Sequence, residues 1–330
     1  MCDNRAMHIL AVASGKGGVG KSTVAVNLAR ALHLLGSRVG LLDADIYGPS
    51  QGIMLPQKGA PREKEGEIIP DCPEGFPVVS VASFTRDAMV VRAPVANGII
   101  EQLFKNVAWG DLDTLVVDFP PGTGDVPLTM LQVVPFTGSL LVTTPQRIAL
   151  SDVEKGAQMF HSMDVPILGL IENMSYLIDN PEIKPFGEGG GIDLSSKLSL
   201  TLLAQLPLDP ELGSACDEGR SLFETDSPLR DHFYALARKI SSPKERPLPN
   251  LSVDDNGCHI VFTDGCTSTI TPSDLQRHCP CIRCREATPP VDESVALKTF
   301  ERVGVFGVKF QFSSGCSSGV YPYKLMARWR

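Results

Sequence analysis

Along the first 240 residues, short apolar and often β-branched runs alternate with helical patterns of apolar and polar positions. The runs His8–Ala13, Arg38–Leu42, Val78–Val81, Thr114–Val117, Ser139–Thr143, Ile167–Ile171 and Leu203–Leu206 predict strands. Most are apolar throughout, without alternation, as expected of strands covered on both faces. Lys21–Leu35, Val95–Val107, Leu150–Met163 and Pro228–Ile240 predict helices. This order predicts an α/β fold, a doubly wound and mostly parallel sheet over residues 1–240. Gln57–Pro73, rich in charge, glycine and proline, reads as an exposed loop. The Pro-rich stretch SSPKERPLP, residues 241–249, reads as a linker. Beyond it, residues 250–330 predict a small α+β, cysteine-rich domain with β-like runs at Cys258–Thr263 and Val303–Phe312.

Between the first strand and the first helix stands GKGGVGKST, which satisfies G-x-x-x-x-G-K-[ST]. Its glycines let the backbone N–H groups of Gly15, Gly17, Gly18, Val19 and Gly20 turn inward around phosphate oxygens, and the following helix presents its positive end. Lys21 can neutralise the β- and γ-phosphates, the Ser22 hydroxyl suits Mg²⁺, and Thr23 completes the motif. The alternative is an accidental glycine-rich turn, against which the flanking strand and helix argue. Two carboxylate-bearing stretches, DADIYGPS and DFPPGTGD, also follow strands, where doubly wound sheets place ligands. Asp118, ending an apolar strand, is the candidate to hold Mg²⁺ or its waters, with Asp43 assisting the metal and Asp45 orienting the attacking water. Any one of the three could be a turn former or helix cap. Together, after a phosphate loop, they read as the site of an ATPase.

The apolar fraction of 43% and charged fraction of 21% are those of an ordinary folded protein. The net charge of −8 is concentrated before residue 250, where 21 basic side chains meet 30 acidic ones; the remainder carries 9 and 8. An acidic body argues against nucleic acid or an anionic membrane as partner. No apolar run approaches ~18 residues, and the start breaks into glycine-rich sequence without a cleavage site. A cytoplasmic location is therefore expected. Six of the nine cysteines lie after residue 250, and in reducing surroundings such clustering points to metal or redox chemistry. CPCIRC (Cys279, Cys281, Cys284), with Cys316 brought from a later strand, offers four soft thiolates suited to Zn²⁺ or an iron–sulfur cluster. Buried free thiols are the alternative. Cys258 and Cys266 could join this group or simply pack, Cys216 reads as a small core residue, and Cys2 and Cys72 have no ligand spacing.

A second lysine, Lys16, follows the first glycine of the loop. The loop thereby resembles the deviant Walker A motif of the ParA/MinD/nitrogenase-reductase ATPases. That resemblance implies a homodimer in which Lys16 reaches the partner's nucleotide and stabilises the transferring phosphoryl group, as an arginine finger does. GKGGVGKS, DADIYGPS, WGDLDTLVVDFPPGTGD and IENMSY together resemble the Mrp/ApbC iron–sulfur cluster carriers over residues 8–240. The resemblance implies an ATPase that gates a homodimer and passes [4Fe–4S] clusters to apo-proteins, with cluster assembly machinery as a further partner. It also implies that Asn173 touches the adenine and that the chain near Pro207–Asp209 closes over the base. One feature departs from this family: many members carry C-x-x-C shortly after ENMSY, and here that stretch has no cysteine. The tail resembles the zinc-binding domain at the start of γ-butyrobetaine hydroxylases, with Cys316 standing where those carry a histidine. Its fusion to the ATPase resembles the plastid and related branch of the carriers, which also lacks the pair. The alternative is a MinD/ParA-like positioning ATPase with a structural zinc domain, which would want a membrane-binding tail or a basic surface; YPYKLMARWR is short for that role. An electron-donating ATPase would need cysteines near DFPPGTGD, which has none.

Overall fold

The computed structural model describes residues 7–46, 48, 51–56, 62–64, 66–84, 93–241, 249–254, 256–262, 266–281, 284, 290–303, 307–317 and 319–326. The predicted linker 241–249 therefore falls mostly outside the described residues, as do Cys2 and the last four residues. The chain divides into two compact units between residues 242 and 243.

The larger unit runs β1 (His8–Ser14), α1 (Lys21–Leu34), β2 (Val39–Asp43), α2 (Gln51–Met54), β3 (Arg62–Lys64), β4 (Glu67–Ile69), β5 (Val78–Ser80) and α3 (Ala93–Asn106). It continues through β6 (Thr114–Asp118), α4 (Asp125–Val133), β7 (Gly138–Thr143), α5 (Arg147–Ser162) and β8 (Ile167–Glu172). It closes with α6 (Gly190–Leu198), β9 (Leu202–Gln205), α7 (Pro210–Asp217) and α8 (Leu229–Ser241). Seven strands form one sheet in the order β5-β2-β6-β1-β7-β8-β9, with every pairing parallel. Alternate residues of each strand serve opposite layers. Ile9, Ala11 and Ala13 pack in one core with α3, α4 and α5, whereas Leu10 and Val12 pack in the other with α1 and α8. Two covered faces explain strands that are apolar throughout.

Four helices of the larger unit, the single turn α2 together with α4, α6 and α7, were not expected from the pattern. α4 and α6 are short and begin among glycines. α7 carried a legible signal, since Asp209 caps its Glu211 N–H and Pro210 stands in its first turn. The stretch expected as an exposed loop, Gln57–Pro73, instead contains the antiparallel pair β3–β4, with Arg62 opposite Ile69. Among the described residues no helix is long and apolar enough to cross a membrane.

The smaller unit contains two antiparallel three-stranded sheets. One comprises β10 (Asn250–Asp254), β11 (Gly257–Val261) and β12 (Thr267–Ile270); the other comprises β13 (Leu297–Val303), β14 (Gly307–Phe312) and β15 (Val320–Pro322). The run expected as one strand, Val303–Phe312, is thus the end of β13 and all of β14. A short helix, α9 (Pro272–Arg277), is capped by the Thr271 hydroxyl and leads into Cys279. Ile260, Leu275, Phe310 and Tyr321 form the core of this unit.

Candidate functional site

The strand order brings the carboxyl ends of β1, β2 and β6 together, because β6 returns between β2 and β1. Asp43 and Asp118 end their strands directly opposite one another in register. Each strand extends one residue beyond the apolar run that predicted it. The loop after β1 is held closely on both sides. A Cβ on Gly15 would lie 2.1 Å from the Asp152 backbone of α5, so only glycine fits there. Gly18 and Gly20 have φ of +82° and +83°, where glycine carries no steric penalty. Gly17 and Gly18 meet open space, and Gly20 starts α1 without any side-chain cap. The first N–H groups of α1 are therefore left for an external acceptor. The loop and its surroundings enclose a cavity of about 440 Å³, walled by Ser14, Lys16, Gly17, Gly18, Lys21, Ser22, Thr23 and Asp45 among others.

Lys21 is buried behind this cavity. Its Nζ donates to Asp118 Oδ1 at 2.5 Å and stands 3.3 Å from Asp45 Oδ2. The Ser22 hydroxyl lies 3.3 Å from the same nitrogen. Asp43 accepts from the Asp45 N–H at 3.2 Å and from the Ser80 hydroxyl at 3.0 Å. Burial, and next the Asp118 charge, push the Asp43 carboxyl up to about 7. Burial also raises Asp118, against the opposing pull of Lys21. Three buried carboxyl groups thus gather about the buried Lys21 ammonium, a surplus of acidic groups that a polyphosphate would worsen. A divalent cation relieves it, and the hydroxyl and carboxylate oxygens present are the hard donors Mg²⁺ takes. Uncapped amides, open glycines and surplus carboxylate fit a metal–nucleotide pair. Lys16 borders the cavity, and among the described residues its ammonium has no carboxylate partner.

The residues expected at the base do not line the phosphate cavity. Asn173 is buried beside the loop, where its Nδ2 donates to the Val19 carbonyl at 2.9 Å. Asn173 and Pro207 are not part of the cavity wall, and Asp209 caps α7. Sequence reading also passed over three buried partners. Gln51 bonds Asp118, Ser80 bonds Asp43, and Glu172 accepts from Gly191 N–H and from Gln205, tying α6 and β9 to β8. Gln51 directly follows DADIYGPS, which was the available signal. Ser80 sits within the predicted run Val78–Val81, where the pattern does not mark it.

In the smaller unit, Cys279, Cys281, Cys284 and Cys316 place their four sulfurs within 4.8 Å of one another. Cys316 lies in the turn between β14 and β15, not on a strand as expected. Its sulfur is 3.6 Å from that of Cys281 and 3.9 Å from that of Cys279. Gln276 pins this turn by donating to the Ser314 carbonyl at 2.5 Å, and a Cβ on Gly319 would stand 2.6 Å from the Cys279 sulfur. Burial raises the Cys279 and Cys284 thiols; a bound cation reverses that preference in favour of thiolate. Cys258 is buried in β11 and Cys266 is exposed, and neither joins the group. Cys216 is half-buried against the core of the larger unit.

Residues 5–241 match the ParA family model, described as the NUBPL iron-transfer P-loop NTPase. Residues 250–327 match the gamma-butyrobetaine hydroxylase-like N-terminal domain. The chain is similar to the iron-sulfur cluster carrier protein of Pseudomonas fragi, 46% identical over 240 residues, 70% of this chain and 84% of that protein. It is also similar to the chloroplastic Fe-S cluster assembly factor HCF101 of Arabidopsis thaliana, 43% identical over 69% of this chain and 43% of that protein. Among solved structures, it resembles a nucleotide-binding protein from Archaeoglobus fulgidus in complex with ADP. That match is 35% identical with a TM-score of 0.58, covering 66% of this chain and 89% of the other. The cell division ATPase MinD of Pyrococcus furiosus, 24% identical with a TM-score of 0.55 over 71% of this chain and 98% of that one, shares the fold.

Proposed function

The chain belongs to the ParA family of NUBPL iron-transfer P-loop NTPases, and on that premise we propose that it is an ATP-driven carrier of iron–sulfur clusters. The observation that carries the reading is the grouping of Lys21, Asp43, Asp45 and Asp118 behind the phosphate loop. The amides from Gly15 to Gly20 and the start of α1 hold the phosphates. Lys21 leaves Asp118 for the phosphate oxygens. Ser22, Asp43 and Asp118 would hold Mg²⁺, which would neutralise charge on the phosphates. Asp45, on the cavity wall, orients the attacking water. Lys16 of a second copy completes the site, so hydrolysis gates a homodimer whose clients are apo-proteins awaiting a [4Fe–4S] cluster and whose suppliers are assembly machinery. Asn173 contributes by bracing the loop at Val19, and the chain at Pro207, running beside it, borders the base. The two units are two domains, with residues 241–249 as the linker.

The sulfur distances favour a second reading for the smaller unit alone. Four sulfurs about 2.3 Å from one ion stand about 3.8 Å apart, and the observed 3.6 and 3.9 Å match that spacing. In a four-iron cluster each iron takes its own thiolate, which sets the sulfurs farther apart. The group as folded suits one tetrahedral ion, zinc being the usual occupant of such a set.

Anaerobic reconstitution with iron and sulfide tests both readings. Iron, zinc and visible absorbance are measured on wild type and Cys281→Ala, followed by transfer to an apo-acceptor. Cluster absorbance and ATP-dependent transfer support the carrier. Stoichiometric zinc without any transfer refutes it and leaves the structural ion.

A further inference from the structure

Gln51 is the first residue of α2 and is fully buried. Its backbone N–H donates to Asp43 Oδ2 at 3.4 Å, and its Nε2 donates to Asp118 Oδ2 at 3.3 Å. One residue thus touches both carboxylates that end β2 and β6. Its Oε1 is buried and, among the described residues, meets no donor. The amide end of Gln51 is the one that bonds Asp118, which also accepts from Lys21, and Oε1 is left over.

The short helix bearing Gln51 is braced from behind. Leu55 N–H donates to the Gln51 carbonyl at 2.7 Å, and Arg30 Nη2 of α1 donates to the Met54 carbonyl at 2.9 Å. Arg30 is itself buried and forked onto Glu74. The amide itself is buried away from bulk water. A buried acceptor without a donor is unfavourable, so the site lacks one component. The donor that a site of hard oxygen ligands acquires with its nucleotide is a water from the hydration shell of a divalent cation.

We propose that Gln51 is a positioning residue for the metal, fixing Asp118 through Nε2 and accepting from the cation's hydration shell through Oε1. Seating of the metal thereby completes the hydrogen bonding of the Gln51–Met54 helix and couples metal occupancy to it. The inference rests on the nucleotide-binding reading of the loop and is independent of the cluster cargo.

The test uses the 330-residue chain, with Mn²⁺ as the metal probe and ADP as the nucleotide. Free Mn²⁺ is followed by electron paramagnetic resonance for wild type and Gln51→Leu, which keeps the volume but removes both polar ends. Mn²⁺ binding to the ADP complex is expected to weaken about tenfold or more, as for other residues that orient metal ligands. ADP affinity in EDTA is expected to stay unchanged. Unaltered Mn²⁺ affinity would overturn the proposal, as would an equal loss of ADP affinity in EDTA, the mark of a purely structural role. Gln51→Asn, which withdraws the amide by one methylene, reads the same effect should the leucine variant fail to fold. A wild type that binds no ADP would instead refute the nucleotide site itself.

Discussion

Lys21 and Lys16 lie five positions apart, yet their surroundings differ. Lys21 is buried on Asp118 and Asp45, so it needs a competing anion to leave them. Lys16 borders the cavity with no carboxylate partner among the described residues, which suits a charge offered to another copy. Lys16→Ala is expected to slow hydrolysis by about 10³-fold, the scale of a removed arginine finger, while ADP affinity measured by calorimetry persists. Lost binding with intact turnover would contradict the trans role. Asp43 adds a pH dependence. Its carboxyl, raised from 3.8 to about 7, keeps a proton in the folded chain that the unfolded chain has lost. Stability of the nucleotide-free protein is therefore expected to fall as pH rises from about 4 to about 7, then level off. Asp43→Asn should flatten that slope in urea denaturation at pH 5 and pH 8. These charges were legible in the sequence as candidates; their pairing was not, since Lys21 and Asp118 are 97 residues apart.

The loop between β1 and α1 was legible because strand, glycines and helix are neighbours in the chain. Its fit against α5 was not. Gly15 packs where a Cβ would meet the Asp152 backbone at 2.1 Å, and a helix backbone cannot move aside cheaply. Gly15→Ala is expected to cost about 1–3 kcal/mol and to weaken ADP binding, both checked by thermal unfolding with and without nucleotide. The element boundaries followed a similar division. Apolar runs located the seven sheet strands but stopped short of Asp43, Asp118 and Glu172, whose polarity breaks the run although the ladder continues through them. α4 and α6 escaped because they are brief and start among glycines, where periodicity has too few turns to register.

At the scale of the whole molecule, the two units have separate cores and are expected to respond separately. Metal removal by a chelator, or Cys281→Ser, should abolish the thermal transition of the smaller unit, since structural thiolate sites contribute on the order of 10 kcal/mol at neutral pH. ADP binding by the larger unit should survive; its loss under the same treatment would count against independent units. By itself the sequence determined what depends on neighbours along the chain: strands apolar on both faces, a glycine loop opening a helix, and the thiolates of CPCIRC. Only the tertiary structure decided which distant groups meet. Strand order set Asp43 beside Asp118, the return of β8 put Asn173 against the loop at Val19, and the pinned turn at Ser314 brought Cys316 to three other sulfurs. Periodicity and turn chemistry act over a few residues, whereas charge pairing and ligand assembly follow from register and packing between segments the chain keeps far apart.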